Sequence, residues 1–197
     1  MCGSRFLKRA LLGLCLGTTF ARAQTAQQPT AKKASAKRAN ELTLAKLRPG
    51  RAKVTHAIAL YKDPLIGKPG ATSYSWEDVC RVEFLFLDTE ASGKIRTVRV
   101  ASHEKWSTAD CKRLPPSPWK TGHGLRVGDS AVNVVQLYGD PDSRSPSTKG
   151  GQPLELFHYA FDWAGPDVPQ VMEVLCTKDK DGQPGRVLEI TLAATSL

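Results

Sequence analysis

The sequence predicts an α+β fold built of two tandem α-β-β-β repeats, with antiparallel sheets and one helix packed on each. Two observations carry this. A motif recurs: residues 47–64 read LRPGRAKVTHAIALYKDP and residues 125–141 read LRVGDSAVNVVQLYGDP, each opening with Leu-Arg-x-Gly and closing with Leu-Tyr-x-Asp-Pro. Downstream of each, apolar and polar residues alternate around a glycine-bearing turn, which is a hairpin signal.

In the first copy Val54, Ala57, Ile58 and Tyr61 recur at helical spacing. In the second, Val132, Val135 and Tyr138 do, with Asp129 and Ser130 placed to cap the helix and favour its positive end. Pro64 and Pro141 end each helix, and both tyrosines read as core. Next comes an aromatic stretch, Tyr74-Ser75-Trp76, answered by residues 156–163 in the second copy. The hairpins span 82–102 and 172–194, with Gly93 and Gly182 supplying the positive φ such turns need. Val82, Phe84 and Phe86 are expected on one face, opposite Ile95, Val98 and Val100. Ser143 to Thr148 with Gly150-Gly151 reads as a long hairpin-like loop before a strand at Leu154.

Ahead of the repeats, Arg5, Lys8 and Arg9 precede a short apolar run from Ala10 to Phe20 and a small-x-small site at Ala21-Arg22-Ala23. This is the pattern of a cleavable export signal over 1–23, with Gln24 as the mature start. Cys15 follows Leu14, not the small residue that lipidation requires. Residues 24–42 form a basic linker too poor in apolar side chains to offset ordering entropy. Repeat unit one is expected over 43–102, a connector over 103–124 with a rigid Leu-Pro-Pro-Ser-Pro stretch, and unit two over 125–197.

The net charge of +9 comes from the first 51 residues, which carry +10; residues 52–197 sum to −1. A nucleic-acid-binding body would carry its own basic face, so that class is set aside. The basic linker offers at most weak contact with anionic lipid headgroups.

Three cysteines follow the export signal. Cys80 precedes the second strand and Cys111 lies ten residues beyond the end of the third, so a Cys80–Cys111 disulfide is expected in an oxidising compartment. Cys176 aligns with Phe86 and reads as a buried thiol acting as a small hydrophobe.

Chemistry-bearing motifs are sparse. His103, His123 and Asp110 bracket the connector, but no metal-ligand spacing connects them, and no metal or cofactor is expected. His56 belongs to the first helix and His158 to a strand. Asp179-Lys180-Asp181-Gly182 has the start of a calcium loop without its remaining ligands, and reads as a turn. Trp76 and Trp163 read as packing residues, whereas Trp106 and Trp119 in the connector are the first candidates for partner contact, with His123 beside them.

The Leu-x-x-Gly to Tyr-Gly-x-Pro pattern, closest over Gly128-Asp129-Ser130 and Tyr138-Gly139-Asp140-Pro141, resembles the outer-membrane assembly lipoproteins of the SmpA/OmlA family. It also resembles the tandem-repeat β-lactamase inhibitory proteins. The first copy departs from the pattern, with Lys62 in place of glycine. The resemblance implies a non-catalytic domain that binds another protein of the envelope. The leading expectation is therefore a periplasmic or secreted protein-binding or envelope-assembly module. The alternative is a small-ligand binder or enzyme using a cleft between the repeats, with the connector histidines as acid–base groups.

Overall fold

The computed structural model describes residues 38–102, 116–178 and 185–194. These contain α1 (Val54–Tyr61), β1 (Ser73–Asp78), β2 (Glu83–Thr89), β3 (Ile95–Ser102), α2 (Ala131–Tyr138), β4 (Ser143–Lys149), β5 (Gln152–Ala160), β6 (Val171–Thr177) and β7 (Val187–Ala193), with a 3-10 turn at Asp162–Ala164. All seven strands form one antiparallel sheet in the order β1-β2-β3-β7-β6-β5-β4.

This corrects the expected architecture. The described residues form not two tandem α-β-β-β repeats with their own sheets but a single sheet with two short helices. The join is β3 against β7, with Val98 opposite Leu192 and Val100 opposite Ile190. A sheet edge presents unpaired N–H and C=O groups, and pairing the two inner edges satisfies both rows at once. The second half also contributes one strand more than expected. Ser143–Lys149 is an edge strand, not a loop, joined to β5 by a tight turn in which Gly150 and Gly151 have φ of 59° and 81°. Its serines and Pro146 disguise it, because an edge strand tolerates a residue without an N–H.

Both helices contribute to one hydrophobic cluster. Val54 and Ala57 of α1, with Ala131, Val134 and Tyr138 of α2, join Trp76, Leu85, Leu87, Val98, Val100, Phe157, Met172, Val174, Ile190 and Leu192. Each helix begins against a hairpin: the Val54 N–H donates to Gly93 O at 2.9 Å, and the Ala131 N–H to Gly185 O at 2.7 Å. Ser130 caps α2 by accepting from the Val132 N–H at 3.2 Å, whereas Lys53 gives α1 no side-chain cap. Val132, expected in the core, is exposed, and Val134 takes its place. An eight-residue helix allows two phases that share Tyr138, and packing chooses positions 131, 134 and 138.

The phase of β2 also differs from expectation. Leu85 pairs with Val100 and Leu87 with Val98 on the helix-covered face, so Phe84 and Phe86 lie on the opposite one. Phe86 sits opposite Arg99, whose guanidinium lies 4.5 Å from the ring centroid.

Glu41 is 1% exposed. Its Oε1 accepts the N–H groups of Leu42, Thr43 and Gly122 at 2.8, 2.9 and 3.0 Å, and its Oε2 accepts the His123 N–H at 3.1 Å and the Tyr138 hydroxyl at 2.7 Å. This carboxylate ties the end of the basic segment to the loop before α2 and to α2 itself. A Cβ at Gly122 would lie 2.6 Å from Glu41 Oε1, so the loop can wrap the carboxylate only with glycine there.

Candidate functional site

Among the described residues, an exposed group of apolar side chains lies where α1 ends and β1 meets solvent. Leu65, Ile66 and Val79 are 62%, 64% and 53% exposed, and Leu60 is also exposed. Leu65 and Val79 border a depression of about 310 Å³ lined by Tyr61, Asp63, Pro64, Leu65, Trp76, Glu77 and Val79, with Ile66 next to Leu65 in the chain. Apolar side chains scattered singly over a surface need no explanation, but a contiguous group around an aromatic-floored hollow is the usual sign of an interaction site.

The floor is held rigidly. The Tyr61 hydroxyl donates to Ala45 O at 2.5 Å, and burial pushes its pKa up to about 12, so the ring stays neutral. Tyr61 meets Trp76 and Trp119 edge-on, with centroids 6.2 and 6.1 Å apart. The Trp76 indole N–H donates to Lys62 O at 3.1 Å. Lys62 closes α1 with φ 69° and ψ −152°, a conformation that ordinarily belongs to glycine. The chain then turns back along β1: the Leu65 N–H donates to Ser75 O at 2.8 Å and the Ser75 N–H to Ile66 O at 2.9 Å. Gly67, at φ 122°, passes so close to Tyr74 that a Cβ would fall 2.3 Å from its ring. A short outer segment, a strained helix end and an obligatory glycine thus place Leu65 and Ile66 outside the sheet edge.

The expected site residues distribute differently. Trp119 is buried behind Tyr61, and its indole N–H has no partner among the described residues. That placement corrects its expected role: it supports the floor of the hollow and is not at the surface. Trp106 lies outside the described residues, as do His103, Asp110, Cys111 and the Asp179–Gly182 turn. His123 is exposed, with Nε2 2.8 Å from Asn40 O and its ring edge-on to Tyr138 at 5.5 Å. Cys80 is exposed in the turn after β1, and Cys176 is fully buried. Trp163, read as a packing residue, is exposed. Leu65 and Ile66 are adjacent in a short loop and Val79 lies in a turn, so no periodic pattern in the sequence marks them.

A second hollow of about 200 Å³ lies on the sheet face away from the helices, lined by Ser147, Leu156, Glu173, Leu175, Glu189 and Thr191. Its carboxylates are already engaged. Glu189 lies 2.8 Å from Lys149 and 3.7 Å from Arg99, and Glu173 lies 3.4 Å from His158. Among the described residues no group of three or more His, Cys, Asp or Glu is placed to hold a metal. Among them, too, no helix is long and apolar enough to cross a membrane.

No family model matches the chain. No curated protein matches it either. A cysteine-rich secretory protein from Staphylococcus aureus superposes on 81% of this chain at 12% identity with a TM-score of 0.43. The chain spans about half of that protein, 49% of its length.

Proposed function

We propose that this chain is an exported, non-catalytic protein-binding module of the cell envelope or extracellular space, and that it contacts its partner through the apolar patch at the β1 edge. The exposure of Leu65, Ile66 and Val79 around a rigid aromatic floor is the observation that carries the reading. Interfaces draw their energy from a few large side chains seated in well-packed pockets, and this hollow has that form. Export rests on the charged, apolar and small-residue segments ending at Ala23, and an oxidising compartment would pair Cys80 with Cys111.

Site-specific photocrosslinking tests the contact. A photoreactive residue at position 65 or 79 is expected to give one discrete adduct in the native envelope or medium. The same residue at position 145, on the opposite sheet edge, gives none. The adduct disappears on Ile66→Asp and reappears when the captured protein is purified and mixed with the wild-type chain. Equal labelling from 65, 79 and 145 would sink the proposal. N-terminal sequencing of the exported protein checks the other half, with Gln24 as the expected first residue.

A further inference from the structure

We infer that the occupant of this patch is an extended segment of the partner that adds to the free end of the β1 edge and seats a lysine or arginine side chain in the hollow. The inference rests on the proposed protein-binding function and names the chemistry of the partner.

Backbone geometry supplies the first argument. Ser75 spends its outward N–H and C=O on Ile66 and Leu65. Successive residues of a strand direct these groups to alternate sides, so Tyr74 and Trp76 bond toward β2 and Glu77 faces outward like Ser75. Residues 65 and 66 stop short of Glu77, whose outward groups have no backbone partner among the described residues. An incoming extended segment, entering beside Asp63 and Pro64, would pair there, and strand addition at an open edge is an established mode of peptide capture.

Charge supplies the second. The charged residues lining the hollow are Asp63 and Glu77, both acidic, and neither has an ion-pair partner among the described residues. A carboxylate-bearing ligand would be repelled. A lysine or arginine fits on both counts: its methylene stem covers Leu65 and Val79, and its cation meets the two carboxylates. Tyr61 and Trp76 add ring surface that attracts a cation. An uncharged apolar side chain would fill the floor and leave the acidic rim without a counterpart.

The experiment is selection of a random twelve-residue peptide library, displayed on phage, against the protein, followed by affinity measurement of the recovered peptides. Recovered sequences are expected to place lysine or arginine between apolar residues two positions to either side. Their binding should weaken at least tenfold in the Asp63→Lys, Glu77→Lys double variant at unchanged melting temperature. It should weaken less in Asp63→Asn, Glu77→Gln, and fall as salt is raised, as partly exposed ion pairs do. Peptides without a basic residue, equal affinity for the doubly charged-reversed variant, or no recovered peptide would each overturn the inference. Crosslinks from positions 65 and 79 that survive the charge reversal would leave the protein-binding reading standing while removing this one.

Discussion

Tyr138 donates its hydroxyl proton to Glu41 at 2.7 Å across 97 positions of sequence. Burial, and then the Glu41 charge, raise the Tyr138 pKa far above the ordinary phenol value, so the donor is never lost by ionisation under physiological conditions. Thr121 Oγ1 lies 2.7 Å from the same phenol oxygen and accepts the Leu125 N–H at 3.0 Å. Because Tyr138 has one proton and gives it to the carboxylate, the Thr121 hydroxyl donates to Tyr138. The result is a chain of bonds running from Glu41 to α2.

Glu41→Ala is expected to destabilise the fold by about 3 kcal/mol or more, because it leaves several buried donors unpaired at once. Tyr138→Phe, which removes one charge-assisted bond, should cost about 2 kcal/mol. The double variant should cost less than the sum, since the two residues share one interaction. Urea denaturation of the three variants measures all of this; strict additivity would show that the bond contributes nothing.

Glu83 is buried, and burial raises its pKa above 4.5; the Ser117 hydroxyl that donates to it offsets only part of this. The folded state therefore holds this proton more tightly than the unfolded one. The contribution of Glu83 to stability is complete below its ordinary pKa and is lost as pH rises through the higher folded value. Glu83→Gln keeps an acceptor for Ser117 and removes the titration. Denaturation midpoints taken from pH 4 upward should show the wild type losing ground to Glu83→Gln as pH rises. A difference independent of pH would refute the burial account.

The helix ends offer a paired test. Lys62 has φ 69° and ψ −152°, and Gly139 at the end of α2 has φ 78° and ψ −169°. Side chains with a Cβ pay roughly 1–3 kcal/mol in this region. Lys62→Gly is expected to stabilise by about 1 kcal/mol after the greater chain entropy of glycine is counted. It leaves intact the Lys62 N–H bond to Ile58 O and the Trp76 bond to Lys62 O. Gly139→Ala should destabilise by about 1–3 kcal/mol for the same reason. Thermal unfolding reads both, and equal melting temperatures for Lys62→Gly and wild type would mean that Lys62 is not strained.

For the cysteines, alkylation of the exported native protein is expected to modify none of the three, with Cys176 buried and Cys80 bonded to Cys111. In denaturant without reductant, one alkyl group should add, at Cys176. Closing a loop of this length contributes roughly 3 kcal/mol by chain entropy. Addition of three groups before reduction would reject the bridge.

Local signals were legible where one residue decides a conformation. Ser130 caps α2 and Gly93 makes the β2–β3 turn at φ 77°, whereas Cys176 is buried in the core although Phe86, with which it aligns, faces the other side of the sheet. Glu41 had a trace in the sequence as the one acid in a cationic stretch, but its five donors come from residues 42, 43, 122, 123 and 138, which no local pattern connects.

What the amino-acid order determined by itself was the β2–β3 and β6–β7 hairpins, the two helical segments, and that the positive charge is concentrated in the first 51 residues. Tertiary structure decided the rest. In Phe84-Leu85-Phe86-Leu87 both alternations are apolar, so period alone assigns no inner face; the helices cover Leu85 and Leu87, and that choice turns Phe84 and Phe86 outward. The union of two expected sheets into one depends on β3 meeting β7, a pairing of residues about ninety positions apart that is driven by unsatisfied edges. The apolar hollow at the β1 edge arises because Leu65 and Ile66 are held outside the sheet by bonds to Ser75, and such bonds exist only once the chain has folded back on itself.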